Sequence, residues 1–111
     1  MIRKGILANM ETMIQNAAGH VFDVMSKRSS EEEMQRIKAA YEMARAAHDG
    51  QKRKTGEPYI THPIAVATIA AEELELDANS VCAAFLHDVV EDTVYTLNDI
   101  RERFGDDVAF L

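Results

Sequence analysis

The chain has 111 residues, 47% of them hydrophobic and 28% charged, the make-up of one globular domain or a piece of one. Nineteen acidic against twelve basic side chains give a formal charge of −7, which excludes general binding to DNA. The single Cys82 excludes an intramolecular disulfide framework, and no apolar run reaches the length of a membrane span.

Arg3 and Lys4 have the form of a signal-peptide n-region, but Asn9, Glu11, Gln15 and Asn16 interrupt any apolar region behind them. The expected compartment is therefore the cytoplasm. From about residue 6 to about residue 27, Ile6, Met10, Ile14, Ala17, Val21 and Met25 recur at spacings of three or four and predict a helix, with Gly19 against it. Its methionines read as ordinary packing. Ser30-Glu31-Glu32-Glu33 has the form of a capping box and predicts the start of a second helix. Met34, Ile37, Tyr41, Ala44 and His48 form its apolar stripe, and Gly50 ends it. His48 reads on that stripe as a satisfied, buried structural histidine.

Residues 51–61 are polar and cannot stay helical through Gly56 and Pro58. Pro63 suits the first position of the next helix and biases His62 towards an N-cap on a stiff frame, a good place for a fixed ligand. That helix is expected to reach about Leu76. Asp77 then caps a helix that carries the run Val81-Cys82-Ala83-Ala84-Phe85-Leu86, burying an inert thiol, and ends near Thr93. Thr96-Leu97-Asn98-Asp99 is a second capping-box pattern, its helix closing at Gly105, and Asp106 or Asp107 begins another. No segment alternates as a strand would, so the chain reads as all-α.

His87-Asp88-Val89-Val90-Glu91-Asp92 places one histidine and three acids in six residues, while no Lys or Arg occurs between Lys54 and Arg101. In an unbroken helix, His87, Asp88, Glu91 and Asp92 share the face opposite Phe85, Leu86, Val89 and Val90. Acidic outer faces are common, but they usually interlace Lys or Arg with their acids. Residues 1–54 carry ten basic against seven acidic side chains, residues 55–100 none against nine, and the last eleven two against three. The cluster Lys52-Arg53-Lys54 borders the acidic half, so a small anion could bridge it and a metal held by the acids. Two histidines and a carboxylate, His62, His87 and Asp88, suit Mn, Fe, Zn or a similar ion. Glu91 and Asp92, one turn further on, are placed to orient or deprotonate an attacking water, and Arg53 can stack on a base. This is equipment for metal-assisted hydrolysis of a phosphate ester.

The string His48-Asp49-Gly50-Gln51-Lys52-Arg53-Lys54-Thr55-Gly56-Glu57-Pro58-Tyr59-Ile60-Thr61-His62-Pro63, followed by Leu86-His87-Asp88-Val89-Val90-Glu91-Asp92-Thr93, resembles the hydrolase domain of the RelA/SpoT family. Phe104-Gly105-Asp106-Asp107-Val108-Ala109 extends the resemblance, which covers residues 31–111 and leaves 1–30 as an N-terminal helical segment. It implies an all-α, helical HD-type phosphohydrolase fold and a metal-dependent 3′-pyrophosphohydrolase acting on the guanine nucleotide alarmones ppGpp and pppGpp, usually with Mn²⁺. It implies His62, His87 and Asp88 as metal ligands and Glu91 and Asp92 as the groups that activate water. Arg53 would pack on guanine with Lys54 and Thr55 near the nucleotide; Thr55 stands where the family often has Ser. Tyr59 and Glu57 are expected to shape the loop.

Synthetase-only relatives have lost the His-Asp and Glu-Asp residues, whereas this chain keeps all four, as the hydrolase-competent branch does. The family continues beyond Leu111 with helices that bring a fourth ligand, an Asp, so the domain is expected to be C-terminally incomplete. Its uncovered apolar surface then favours self-association into a homo-oligomer. Two other readings stay open: a catalytically silent helical regulatory or oligomerisation module, and an HD phosphohydrolase acting on another nucleotide.

Overall fold

The computed structural model describes the backbone of residues 2–111 and the side chains of residues 9–111, so the Ile6 side chain of the first apolar stripe lies outside the described residues. Among the described residues seven α-helices follow one another: α1 (Ile2–Ser26), α2 (Glu31–Ala47), α3 (Thr61–Thr68), α4 (Ala78–Leu86), α5 (Val89–Asp92), α6 (Leu97–Phe104) and α7 (Asp106–Ala109). The β features among the described residues reduce to one isolated bridge between Lys52 and Pro58. None of these helices is long and apolar enough to cross a membrane.

The predicted starts are made by the predicted side chains. Ser30 Oγ accepts from the Glu33 N–H while the Glu33 carboxylate accepts from the Ser30 N–H. Thr96 and Asp99 repeat this reciprocal pair at the head of α6, and Asp77 accepts from the Ser80 N–H at the head of α4. Each such cap satisfies orphan N–H groups of a first turn.

Helix α1 runs straight through Gly19, and a Cβ added there meets nothing within 4 Å. Gly19→Ala is therefore expected to raise stability by about 0.5–1 kcal/mol, by lowering the backbone entropy lost on folding. A urea-unfolding midpoint that moves down instead would show that the glycine has a packing role. Ile14, Ala18, Val21 and Met25 of α1 join the core, whereas Ala17, placed by the spacing on the apolar stripe, is exposed and Ala18 takes its place.

Helix α4 is the centre of the molecule. Its uninterrupted apolar run buries Ala78, Val81, Cys82, Ala84, Phe85 and Leu86, more than one stripe, because α2, α3 and α7 all pack around it. Phe85 is 0% exposed and meets Tyr41 edge-on at 5.7 Å and Phe22 at 6.4 Å. Burial pushes the Cys82 thiol up to about 11, so it stays protonated and inert at neutral pH.

Both boundaries of α3 depart from the sequence reading. Helix α3 begins at Thr61 after Ile60, so His62 lies inside the first turn and Pro63 one position beyond it. A proline is tolerated there because the first four helical N–H groups have no partner within the helix. The helix then widens into a π turn over Ile69–Glu73 and stops short of Leu76. The guanidinium of Arg28, arriving from the end of α1, donates to the carbonyls of Ala71 at 2.7 Å and Leu76 at 2.9 Å and closes that end.

Candidate metal centre

The acidic segment does not continue α4 as one helix. His87 stays in the right-handed helical region, but Asp88 turns to φ −101°, ψ −1°, the bridge region in which many site residues occur. The ring of His87 folds back and its Nδ1 donates to the Ala84 carbonyl at 2.7 Å. In an unbroken helix that carbonyl would accept the Asp88 N–H. Helical bonding resumes with the Asp92 N–H on the Asp88 carbonyl at 3.0 Å, which makes α5 a single separate turn. The break re-aims the side chains: Asp88 and Asp92 remain on one side, while Glu91 borders a groove of about 210 Å³ with Ala83, Leu97 and Val108.

At the break, His87 meets His62 from the first turn of α3. His62 Nε2 lies 3.2 Å from His87 Nε2, His87 Nε2 lies 2.9 Å from Asp88 Oδ2, and His62 Nε2 lies 3.5 Å from the same oxygen. Donor atoms about 2.1 Å from one ion sit about 3.0 Å apart at right angles and about 3.4 Å apart at a tetrahedral angle. The triangle matches that spacing. The tautomer argues the same way, because Nδ1 of His87 carries the hydrogen given to Ala84 and a neutral ring then turns its Nε2 lone pair towards a carboxylate. A cation placed among the three atoms would be shared by all of them. Two imidazoles and one carboxylate form a donor set suited to a divalent metal, and the Nδ1 bond to Ala84 is of the kind that orients a ligating histidine. Among the described residues, this is the group of His, Cys, Asp and Glu side chains close enough to hold an ion.

A ring of contacts from the loop between α2 and α3 surrounds the triad. Tyr59 donates its hydroxyl to Asp88 Oδ2 at 2.7 Å and lies 3.3 Å from Asp92 Oδ2. That bond to Asp88, reinforced by burial, raises the phenol's pKa above its ordinary value, so the hydroxyl remains a donor. Gln51 donates from Nε2 to the Asp92 carbonyl at 2.9 Å, which leaves its Oε1 to accept from His48 Nδ1 at 2.9 Å. His48 is buried on its stripe, 2% exposed, but only half satisfied: among the described residues its Nε2 has no partner.

Arg53, Lys54 and Thr55 lie at the exposed tip of this loop. The Arg53 N–H donates to the Glu57 carbonyl at 2.9 Å and the Gly56 N–H to the Arg53 carbonyl at 2.8 Å. Gly56 adopts φ +94°, a conformation that favours glycine. Glu57 accepts from Arg53 at 3.2 Å and from Thr55 at 2.9 Å. Both members of the Arg53–Glu57 pair are well exposed, so little energy holds the guanidinium in place. The structure thus brings His62, His87 and Asp88 together, keeps Asp92 beside them through Tyr59, and sets Glu91 with His87 on the wall of a neighbouring groove. Sequence reasoning missed the part of Tyr59 and Gln51. Their partners lie 29 and 41 residues away, and a tyrosine inside an otherwise polar loop was the one available signal.

Residues 40–111 match the HD domain family. The chain is 53% identical over 81 residues to the bifunctional (p)ppGpp synthase/hydrolase SpoT of Escherichia coli K12, covering 73% of this chain and 11% of that protein. It is 60% identical over 67 residues to a guanosine-3′,5′-bis(diphosphate) 3′-pyrophosphohydrolase of Haemophilus influenzae, covering 60% and 10%. A GTP pyrophosphokinase of Streptomyces coelicolor is 54% identical over 78 residues, covering 70% and 9%. The chain therefore spans about a tenth of the length of the curated relatives it matches.

Proposed function

This chain belongs to the HD domain family, in its RelA/SpoT branch, and from that premise we propose that it carries a metal-dependent 3′-pyrophosphohydrolase site for ppGpp and pppGpp. The observation that carries the reading is the convergence of His62 Nε2, His87 Nε2 and Asp88 Oδ2 within one ligand triangle. These atoms would hold a divalent cation, Mn²⁺ in this reading, which when bound supplies positive charge for the phosphate oxygens and eases deprotonation of water.

The chain's own groups do the rest. Asp92, beside the Tyr59 hydroxyl, and Glu91, beside His87, orient the attacking water and take its proton. Water adds to the phosphorus nearest the ribose, the bond to the 3′-oxygen breaks, and pyrophosphate leaves a GDP or GTP whose 3′-oxygen regains a proton. Arg53 leaves its weak pairing with Glu57 to lie flat on guanine, with Lys54 and Thr55 near the nucleotide. The buried, protonated Cys82 suits the reducing cytoplasm expected for this substrate. Exposed Leu97, Phe110 and Leu111 support self-association.

The test is release of GDP and pyrophosphate from ppGpp with added Mn²⁺, in competition with ordinary nucleoside triphosphates. Release that needs Mn²⁺ and resists competition by GTP is expected. Equal consumption of the triphosphates would move the substrate to another nucleotide. No Mn²⁺-dependent release would leave a helical module without turnover.

A further inference from the structure

Asp88 Oδ2 faces both histidine nitrogens, yet its shortest contact is the 2.7 Å bond from the Tyr59 hydroxyl. The same hydroxyl lies 3.3 Å from Asp92 Oδ2, so one proton donor stands between the ligand carboxylate and the acid one turn later. Tyr59 is itself held on several sides. Its ring lies 4.6 Å from the buried His48 ring and meets His62 edge-on at 5.9 Å, while its N–H donates to the Gln51 carbonyl at 2.9 Å. Gln51 in turn grips the Asp92 backbone. A phenol fixed at ring, backbone and hydroxyl leaves Asp88 little freedom to rotate.

We propose that Tyr59 is a positioning residue that orients Asp88 as a metal ligand and spaces it from Asp92. The proposal rests on the metal-site reading above and deepens it. Asp88 Oδ2 accepts the phenol hydrogen and also lies within 3.5 Å of both imidazole Nε2 atoms. Without the hydroxyl, the carboxylate can swing away from His62, and two acids lose the donor that separates their charges. Outer contacts of this kind change metal affinity by about 10- to 100-fold when removed.

Tyr59→Phe keeps the ring between His48 and His62 and deletes only the hydroxyl; Tyr59→Leu removes the ring as well. Mn²⁺ affinity measured by titration calorimetry is expected to fall by about tenfold or more in both. The melting temperature should hold in Tyr59→Phe and drop in Tyr59→Leu. At saturating Mn²⁺, kcat for ppGpp should fall several-fold in Tyr59→Phe with KM unchanged, because the phenol hydroxyl acts on Asp88 and Asp92. Unchanged Mn²⁺ affinity in Tyr59→Phe overturns the inference and leaves the metal site standing. Failure of the unaltered chain to bind Mn²⁺ overturns both.

Discussion

His87→Ala is expected to weaken Mn²⁺ binding by more than about a hundredfold and to abolish release of pyrophosphate from ppGpp. Even outer contacts to metal ligands change affinity by about 10- to 100-fold, and in the proposed site His87 supplies a ligand atom itself. Its Nε2 is the vertex closest to both other donors, 2.9 Å from Asp88 Oδ2 and 3.2 Å from His62 Nε2. Removing it leaves two donors, His62 Nε2 and Asp88 Oδ2, 3.5 Å apart. The fold should survive, because the His87 ring is partly exposed and its polar contacts are confined to the Ala84 carbonyl, His62 and Asp88. Circular dichroism and the melting temperature should stay near those of the unaltered chain while calorimetry registers the lost metal. Retained Mn²⁺ affinity would place the ion elsewhere and remove the ground for the proposed hydrolase.

Phe85→Ala is expected to do the opposite, leaving every ligand atom in the chain while unfolding the frame that aims them. Truncating a fully buried phenylalanine destabilises by about 3–5 kcal/mol through lost transfer energy and the cavity left behind. The edge-on pair with Tyr41 adds a contact that alanine cannot make. Domains of this size are stable by about 5–15 kcal/mol in total. The loss should therefore lower the melting temperature by roughly 15 °C. Val94→Ala, at a side chain 94% exposed, is the matched control and should change stability by less than about 0.5 kcal/mol. Because Phe85 precedes the His87 turn by two residues, Mn²⁺ affinity in Phe85→Ala should vanish in step with helicity on warming. A melt indistinguishable from that of Val94→Ala would mean that α4 is not the centre of the core.

Local chemistry was legible in the sequence wherever it depends on neighbours a few residues apart. Ser30 with Glu33, Thr96 with Asp99 and Asp77 with Ser80 each complete a cap inside one turn, so residue type and spacing suffice to place three helix starts. The stripe from Ile37 to His48 was equally readable, since the 3.6-residue period lines those positions along one face. Periodicity fails at the His87–Asp88 break. The segment reads as an unbroken amphipathic helix, and nothing local distinguishes a helix that continues from one whose histidine ring turns back onto Ala84. The same limit explains His62, whose N-cap assignment rested on Pro63 alone, while Thr61 donates to the Pro58 carbonyl and His62 to the Tyr59 carbonyl and both join the first turn.

Taken by itself, the sequence determined the all-α class, the caps, the burial of Cys82 and the identity of the side chains able to ligate or titrate. Those follow from hydrophobic period, turn chemistry and the absence of basic residues between Lys54 and Arg101. Tertiary structure alone decided which of those side chains meet. His62 and His87 are separated by 25 residues, and their nitrogens come within 3.2 Å only because α3 packs directly against α4. It also assigned Tyr59 to Asp88 and divided Glu91 from Asp92 at the single turn of α5. The physical reason is range: a cap or a stripe is closed by bonds within one or two turns, whereas a ligand triangle is closed by the packing of helices far apart in the chain.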